Sequence, residues 1–446
     1  MLTTKPRGTN DFLGETVRKW QYLEEVIRKI CREYGYGEIR TPIFEHTELF
    51  QRGVGDTTDI VEKEMYTFTD RGDRSLTLRP EGTASAVRAF VETKLNTQAQ
   101  PTKLYYTGPM FRYDRPQAGR YRQFHQFGVE VFGSNDPAVD AEVINLLMDF
   151  YQRLGLKDLE LHINSVGCPQ CREEHRTVLQ QFLRDKLSGL CKNCQDRFER
   201  NPMRILDCKN EACQGLSQGA PTTSKCLCSE CDNNFAKVKG YLDLLGITYI
   251  VNERLVRGLD YYTNTAFEVM AKGIGAQSSI GGGGRYNGLI EQVGGGSVPG
   301  IGYAIGLERV ILTMEEQGIQ FPEEPPFHVF VATIGEEVSG PALLLLTKLR
   351  QAGLSAEKDY LGRSLKAQMK YAGRFRAQYT LIMGGDELQR GVVVVRDMTA
   401  GTQEEVALAQ VVETLVAKLG AKIGAKIGAK IGAKIGAKIG AKIGAK

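Results

Sequence analysis

Four short stretches of this chain gather residues suited to handling charge. The densest is residues 111–124, where Arg112, Asp114, Arg115, Gln117, Arg120 and Arg122 stand among Tyr113, Tyr121 and Phe124. Guanidinium forks match phosphate oxygens in pairs, and the rings between them offer stacking faces for bases. A solvated charged hairpin is the plainer reading, but four arginines with glycine and proline in one loop argue against it. Upstream, Arg79-Pro80-Glu81-Gly82-Thr83 puts a cation, an acid and a hydroxyl at a strand end. The plainer reading there is a turn, with Glu81 or Thr83 capping a helix that runs to Val91. Downstream, Leu255–Tyr262 carries Arg257 and the Tyr261-Tyr262 pair, and two glycine-rich segments follow, Gly282–Tyr286 and Gly302–Arg309. The glycines read by default as flexible turns. Gly300, Gly302 and Gly306 before a helix look like a dinucleotide fingerprint, but the spacing is off by one and no ribose-binding acid follows. No glycine-rich loop ends in Lys-Ser or Lys-Thr, which excludes a P-loop. Nucleotide phosphates would have to be held by arginines on an antiparallel sheet.

Cysteines mark a second kind of chemistry. Nine of the ten lie between Cys168 and Cys231. Cys168-Pro-Gln-Cys171 and Cys191-Lys-Asn-Cys194 are two Cys-x-x-Cys knuckles separated by nineteen residues, a spacing that fits a structural Zn²⁺ on Cys168, Cys171, Cys191 and Cys194. Cys208, Cys213, Cys226, Cys228 and Cys231 could build a second site. Free thiols, or disulfides in a hyperthermophilic host, are the alternatives.

These groups need elements to hold them. Glu15–Tyr34 has apolar residues at helical spacing and ends at Gly35, so it reads as an amphipathic helix. Glu38–Phe44 reads as a strand interrupted by Pro42. Leu104–Met110 and Gln126–Phe132 read as two strands joined by the arginine-rich loop, which suggests an antiparallel sheet. Further strands are expected at Ile247–Asn252 and Ala266–Met270, and Ile301–Thr313 leads into a helix. A proline-rich stretch around Phe321–Pro326 marks a linker. Beyond it the pattern predicts a compact α/β domain: strands at Val329–Thr333, near Ser355, at Tyr379–Met383 and Gly391–Arg396, and helices at Pro341–Ala352, Ser364–Tyr371 and Gln403–Leu419. The expected organisation is thus 1–167, a Cys-rich insertion at 168–232, a return to the first domain at 233–320, a second domain at 327–419, and a low-complexity tail at 420–446.

The bulk numbers set limits. With 446 residues, 42% hydrophobic and 25% charged, the chain is long enough for two or three cores. No apolar run approaches the ~20 residues of a membrane helix. The N-terminal residues lack the apolar stretch of a signal peptide, so a cytoplasmic protein is expected. The Gly-Ala-Lys-Ile repeat at Ala421–Lys446 carries seven lysines and no acid, so the formal +4 of the whole chain becomes −3 without it. Net charge therefore gives no argument for nucleic-acid binding. One glycine in four costs the repeat roughly 1 kcal/mol each as a helix, so it reads as a disordered appendage.

Together, the four stretches resemble the histidyl-tRNA synthetase family over residues 3–419. The helix and strand ending at Pro42 look like class II motif 1, Phe111–Phe124 like motif 2, and Gly306–Arg309 like motif 3. Leu255–Tyr262 and Gly282–Tyr286 look like the two histidine signatures. The resemblance implies an α+β catalytic domain with an antiparallel class II synthetase sheet flanked by helices, and a C-terminal α/β anticodon-binding domain. It implies activation of L-histidine with ATP and Mg²⁺, transfer to tRNA(His), and a homodimer. By that resemblance Arg112, Arg120, Glu308 and Arg309 would bind ATP, and Arg257 would act with Arg112 at the α-phosphate. Glu81, Thr83 and Gln126 would hold the α-ammonium, and Glu130, Tyr261 and Tyr262 would read the imidazole. Arg115 and Gln117 would meet the tRNA acceptor end. Asp114 stands where motif 2 usually has glutamate, and Asn287 where an aspartate is expected. The rival is the catalytically silent regulatory subunit of ATP phosphoribosyltransferase, which shares the fold but lacks the anticodon domain and tends to lose Arg257 and Tyr261-Tyr262. A kinase-linked sensor is disfavoured, since neither His-Arg-Asp nor Asp-Phe-Gly occurs.

Overall fold

The structure is a computed structural model that describes residues 3–55, 58–272, 279–323 and 325–420. The lysine-rich repeat lies outside the described residues. The chain forms two compact units, Met1–Pro322 and Glu323–Lys446.

The first unit is built on an eight-stranded sheet. Its strands are β1 (Gly37–Glu38), β2 (Thr102–Phe111), β3 (Gln123–Phe132), β4 (Leu159–Ser165), β5 (Ile250–Val251), β6 (Thr263–Ala271), β7 (Ser279–Arg285) and β8 (Gly300–Gly306). The spatial order is β1-β2-β3-β8-β7-β6-β4-β5. The six inner strands run antiparallel, and the two-residue edge strands β1 and β5 pair parallel. Alternation along each strand separates the two faces. Phe127, Val129 and Val131 on β3, Phe267 and Val269 on β6, and Ile301, Tyr303 and Ile305 on β8 enter the main core. There they meet three helices, α1 (Glu15–Glu33), α3 (Pro137–Arg153) and α7 (Ser229–Leu244). Helix α1 is amphipathic as its spacing predicts, burying Leu23, Ile27, Ile30 and Cys31. Helix α3 starts where Asp136 accepts from the Ala138 N–H at 2.9 Å and Pro137 takes the first turn. The residues of opposite parity, Gln126, Glu130, Glu268 and Ala304, are left for the other face. There α2 (Thr83–Glu92) packs through Ala86, Val87 and Phe90 against Tyr106, Met110 and Phe132.

Between β4 and α7 the chain folds into α4 (Pro169–Leu183), α5 (Lys192–Arg200) and α6 (Glu211–Leu216), joined by short 3₁₀ turns. Leu179, Leu183, Leu190, Phe198, Ile205 and Leu206 give this segment a small core of its own. The last helix of the unit, α8 (Leu307–Glu316), follows β8.

Two expectations in this unit fail. The strand expected over Glu38–Phe44 is split at Pro42: Gly37–Glu38 joins the large sheet, whereas Phe44–His46 joins a separate three-stranded sheet with Tyr66–Thr69 and Ser75–Leu78. The run Gly281–Gly284 is not a turn but the middle of β7. A Cβ on Gly283 would stand 2.0 Å from the Gly302 carbonyl, so only a bare backbone fits between β6 and β8.

The second unit has a five-stranded sheet ordered Ala356–Lys358, Val329–Thr333, Tyr379–Met383, Val392–Asp397, Gln403–Ala407. The first three strands are parallel and the last two antiparallel. The helix expected from Gln403 to Leu419 is instead an edge strand followed by a helix over 411–420. The Asp397 carboxylate accepts from the N–H groups of Thr399 and Ala400, and Gly401 takes φ +73°; this turn reverses the chain into a hairpin.

Candidate active site

The exposed ends of β2, β3, β7 and β8, together with the segments around Glu81 and Arg257, enclose a cavity of about 410 Å³. That size suits a small metabolite or part of a nucleotide. Its wall is built from residues far apart in sequence, and its chemistry divides into two regions.

One region is cationic. Arg112, at the end of β2, donates from Nε to the Pro80 carbonyl at 2.8 Å and lies over the Phe124 ring. Arg309, in the first turn of α8, donates to the Ser279 carbonyl at 2.7 Å. Arg120 returns from the β2–β3 hairpin and pairs with Asp114 at 3.0 Å. All three line the cavity. Burial, and then the positive charges of Arg120 and Arg112, pull the Arg309 pKa below its ordinary value. Cations crowded in a desolvated wall favour an anionic ligand. Glu308 also lines the cavity, and its carboxylate accepts from the His125 backbone N–H at 2.9 Å, fastening α8 to β3.

The other region is polar and aromatic. Glu81 is buried, and its carboxylate accepts from the N–H groups of Thr83 and Ala84 at 2.8 and 2.7 Å. It caps α2 and lines the cavity at once. Burial raises its pKa against the pull of those N–H donors. Thr83, Gln126, Tyr261 and Tyr262 line the same region, the two tyrosine rings 4.7 Å apart. The Gln126 Oε1 atom is buried with no hydrogen-bond partner. Such an atom is costly to leave unpaired, and a ligand N–H would satisfy it. Arg257 reaches the cavity between the two regions, donating from Nη1 to Glu268 Oε1 at 2.8 Å. Room for it exists because β7 carries Gly282, where a Cβ would lie 2.8 Å from Arg257 Nη1.

The structure thus brings Glu81, Thr83, Arg112, Arg120, Gln126, Arg257, Tyr261, Tyr262, Glu308 and Arg309 around one cavity. Three others stand apart. Glu130 lies beneath the wall, its carboxylate bonded to the Tyr106 hydroxyl at 3.2 Å and to the Tyr286 hydroxyl at a shorter distance. Burial pushes its pKa up to about 8. Gly302 lets it in, since a Cβ there would be 2.0 Å from Glu130 Oε2. Arg115 and Gln117 are exposed at the tip of the hairpin, outside the cavity. Of the remaining motif 2-like residues, Arg122 stacks on Tyr113 at 3.9 Å. Residues not anticipated from the sequence also line the wall, notably Glu64, Ser279 and Arg204. Glu268 stands behind Arg257. A single acid in the apolar strand Ala266–Met270 was a legible signal; Arg204 comes from the Cys-rich segment and had none.

The cysteines do not combine as expected. Cys168 and Cys171 do not share a site with Cys191 and Cys194, because α4 carries the chain away between them, a rise of roughly 22 Å for fifteen residues. Two separate sets form instead among the described residues: Cys168, Cys171, Cys228 and Cys231, and Cys191, Cys194, Cys208 and Cys213. Either set could hold a metal ion. Cys226 belongs to neither, and all ten cysteines are free thiols.

Comparison with known proteins identifies the family. The family model described as histidyl-tRNA synthetase matches residues 8–310, and the one described as anticodon binding domain matches residues 328–418. The chain belongs to the histidyl-tRNA synthetase family. It is 66% identical over 418 residues to a protein named histidine–tRNA ligase from Desulforamulus reducens, covering 94% of this chain and 100% of that one. A protein of the same name from Pelotomaculum thermopropionicum is 65% identical, covering 94% of this chain and 98% of that one. Among solved structures, the apo histidyl-tRNA synthetase of S. aureus superposes with a TM-score of 0.80 at 44% identity, covering 93% of this chain and 100% of that chain. The fold is the class II synthetase fold of this family, with a large sheet, flanking helices and a C-terminal unit that has its own sheet. The silent regulatory-subunit reading gains no support: the anticodon-domain match is present, and so are Arg257 and the Tyr261-Tyr262 pair. No helix among the described residues is long and apolar enough to cross a membrane.

Proposed function

We infer that this chain is a ligase that activates L-histidine with ATP to histidyl-adenylate and transfers histidine to the 3′ end of tRNA(His), releasing diphosphate and AMP. The observation that carries the reading is the single cavity with a cationic half and a polar half, bridged by Arg257. Arg112, Arg120 and Arg309 hold the triphosphate through paired N–H donors. Mg²⁺ bound with ATP would neutralise phosphate charge, and Glu64 and Glu308 are lining carboxylates that would suit such a hard ion. Glu81, Thr83 and the unpartnered Gln126 oxygen take the α-ammonium of histidine. Its carboxylate then points at the α-phosphate and attacks in line. Arg257, kept in place by Glu268, meets the negative charge that builds there.

Tyr261 and Tyr262 face the imidazole, which presents one donor and one acceptor. Glu130, whose carboxylate holds the hydroxyls of Tyr106 and Tyr286, reads the imidazole together with the Tyr261-Tyr262 pair. An analogue lacking the ring nitrogens would leave buried polar groups unpaired, which rejects it by on the order of 10⁴-fold. Arg115 and Gln117, exposed on the hairpin tip, meet the acceptor end of the tRNA. The 327–419 domain reads the anticodon, and the chain works as a cytoplasmic homodimer. Charging of unfractionated tRNA with each labelled amino acid tests this. Histidine alone should be transferred, and a failure with histidine would overturn the reading.

A further inference from the structure

Neither set of cysteines lines the cavity. In each set all four sulfurs lie within 4.8 Å of one another. Two of the separations are 3.5 Å (Cys168 to Cys171) and 3.9 Å (Cys191 to Cys208). A tetrahedral ion with metal–sulfur bonds near 2.3 Å requires thiolates about 3.8 Å apart. A polynuclear iron–sulfur cluster must fit several irons and sulfides between its thiolates, and these sets leave no such room. The two sets also share a local design. In each, a Cys-x-x-Cys opens a helix, and a sulfur accepts a backbone N–H: Cys228 N–H donates to Cys171 at 3.1 Å and Cys191 N–H to Cys213 at 3.2 Å. Gly167, at φ +69°, is required before the first knuckle, because a Cβ there would be 2.5 Å from the Cys171 Cβ.

We propose that the segment between Cys168 and Cys231 binds two zinc ions, one on Cys168, Cys171, Cys228 and Cys231 and the other on Cys191, Cys194, Cys208 and Cys213, each with a separate task. The inner ion closes the place where the chain leaves and rejoins the catalytic unit. From the first turn of α4, Arg172 donates to the carbonyls of Asp260 and Tyr262 at 3.3 and 3.0 Å. The inner site thereby positions the segment that carries Arg257, Tyr261 and Tyr262. The outer ion binds together α5, α6 and the turn holding Arg204, where the small apolar core alone is a thin basis for stability. Both sites are structural, with four protein ligands and no open position for a substrate.

Elemental analysis of the untagged full-length protein, purified under reducing conditions, should find about two zinc ions per chain. Cys228→Ser and Cys208→Ser should each hold one, and the double variant none. Cys228→His keeps a zinc ligand and should retain two. Replacement of zinc by cobalt should give the intense absorption of tetrahedral thiolate coordination, halved in each single variant, so a poorly expressed variant does not decide the matter. Cys228→Ser should raise KM for histidine several-fold while KM for ATP stays unchanged; equal changes in both would refute the positioning task. Absence of metal with all eight thiols reactive in the native protein, disulfides in their place, or iron instead of zinc would overturn the proposal. The metal counts and the cobalt absorption do not depend on which amino acid the enzyme activates.

Discussion

In the proposed reaction Arg257 concentrates the chemistry of single residues. It faces the cavity with its charge fixed by Glu268 at 2.8 Å. Arg257→Ala should lower kcat for adenylate formation by about 10²–10³-fold, the loss typical of one preorganised donor at a developing charge. Histidine binding, followed by calorimetry, should survive; equal loss of both would contradict a role specific to the transition state. Gln126→Ala removes the unpartnered oxygen and should raise KM for histidine about tenfold, on the order of one hydrogen bond, with little change in KM for ATP. Glu130 makes a pH prediction. Its pKa is pushed up to about 8 by burial, so the folded chain binds a proton that the unfolded chain has already released. Stability from this group is therefore full at low pH and is lost as pH rises from the ordinary carboxyl range towards 8. Glu130→Gln should flatten that part of the Tm–pH curve, and an unchanged slope would assign the effect elsewhere. Motif spacing made most of these residues legible because each motif is local. Glu64, Arg204 and the true cysteine partners were not legible, since only folding brings them near.

Elements explain why the site has its shape. The glycines of β7 look like a loop in sequence because they carry no side-chain periodicity, yet they form the strand against which Arg257 lies. Gly282→Ala places a Cβ 2.6 Å from the Phe267 carbonyl and 2.8 Å from Arg257 Nη1. It should cost about 1–3 kcal/mol in denaturant unfolding and displace Arg257, lowering kcat as well. A variant with wild-type stability and activity would show that β7 tolerates a side chain there. Helix α1 and the β2–β3 hairpin were readable because their apolar residues recur at helical or alternate spacing. The hairpin after Asp397 was not, because its turn depends on a side chain bonding its own backbone.

At the scale of the whole molecule, Ile43, Phe44 and Phe68 are exposed on or beside the three-stranded sheet, with the two phenylalanine rings 6.4 Å apart. The proposed homodimer would bury such a patch. Phe44→Glu should convert a dimer to monomers in sedimentation, and a variant that stays dimeric would place the interface elsewhere. The fold class was legible from the antiparallel hairpin and the βα pattern after residue 327, whereas the pairing of β1 and β5 at the sheet edges was not, since two residues carry no pattern. In the proposed reaction one cavity joins an ATP site to a histidine site. Amino-acid-dependent exchange of pyrophosphate into ATP, measured on the full chain with Mg²⁺ and each of the twenty amino acids, tests it most directly. Exchange with histidine alone is the expected result; exchange with another amino acid, or with none from folded protein, would show that the cavity does not join these two sites.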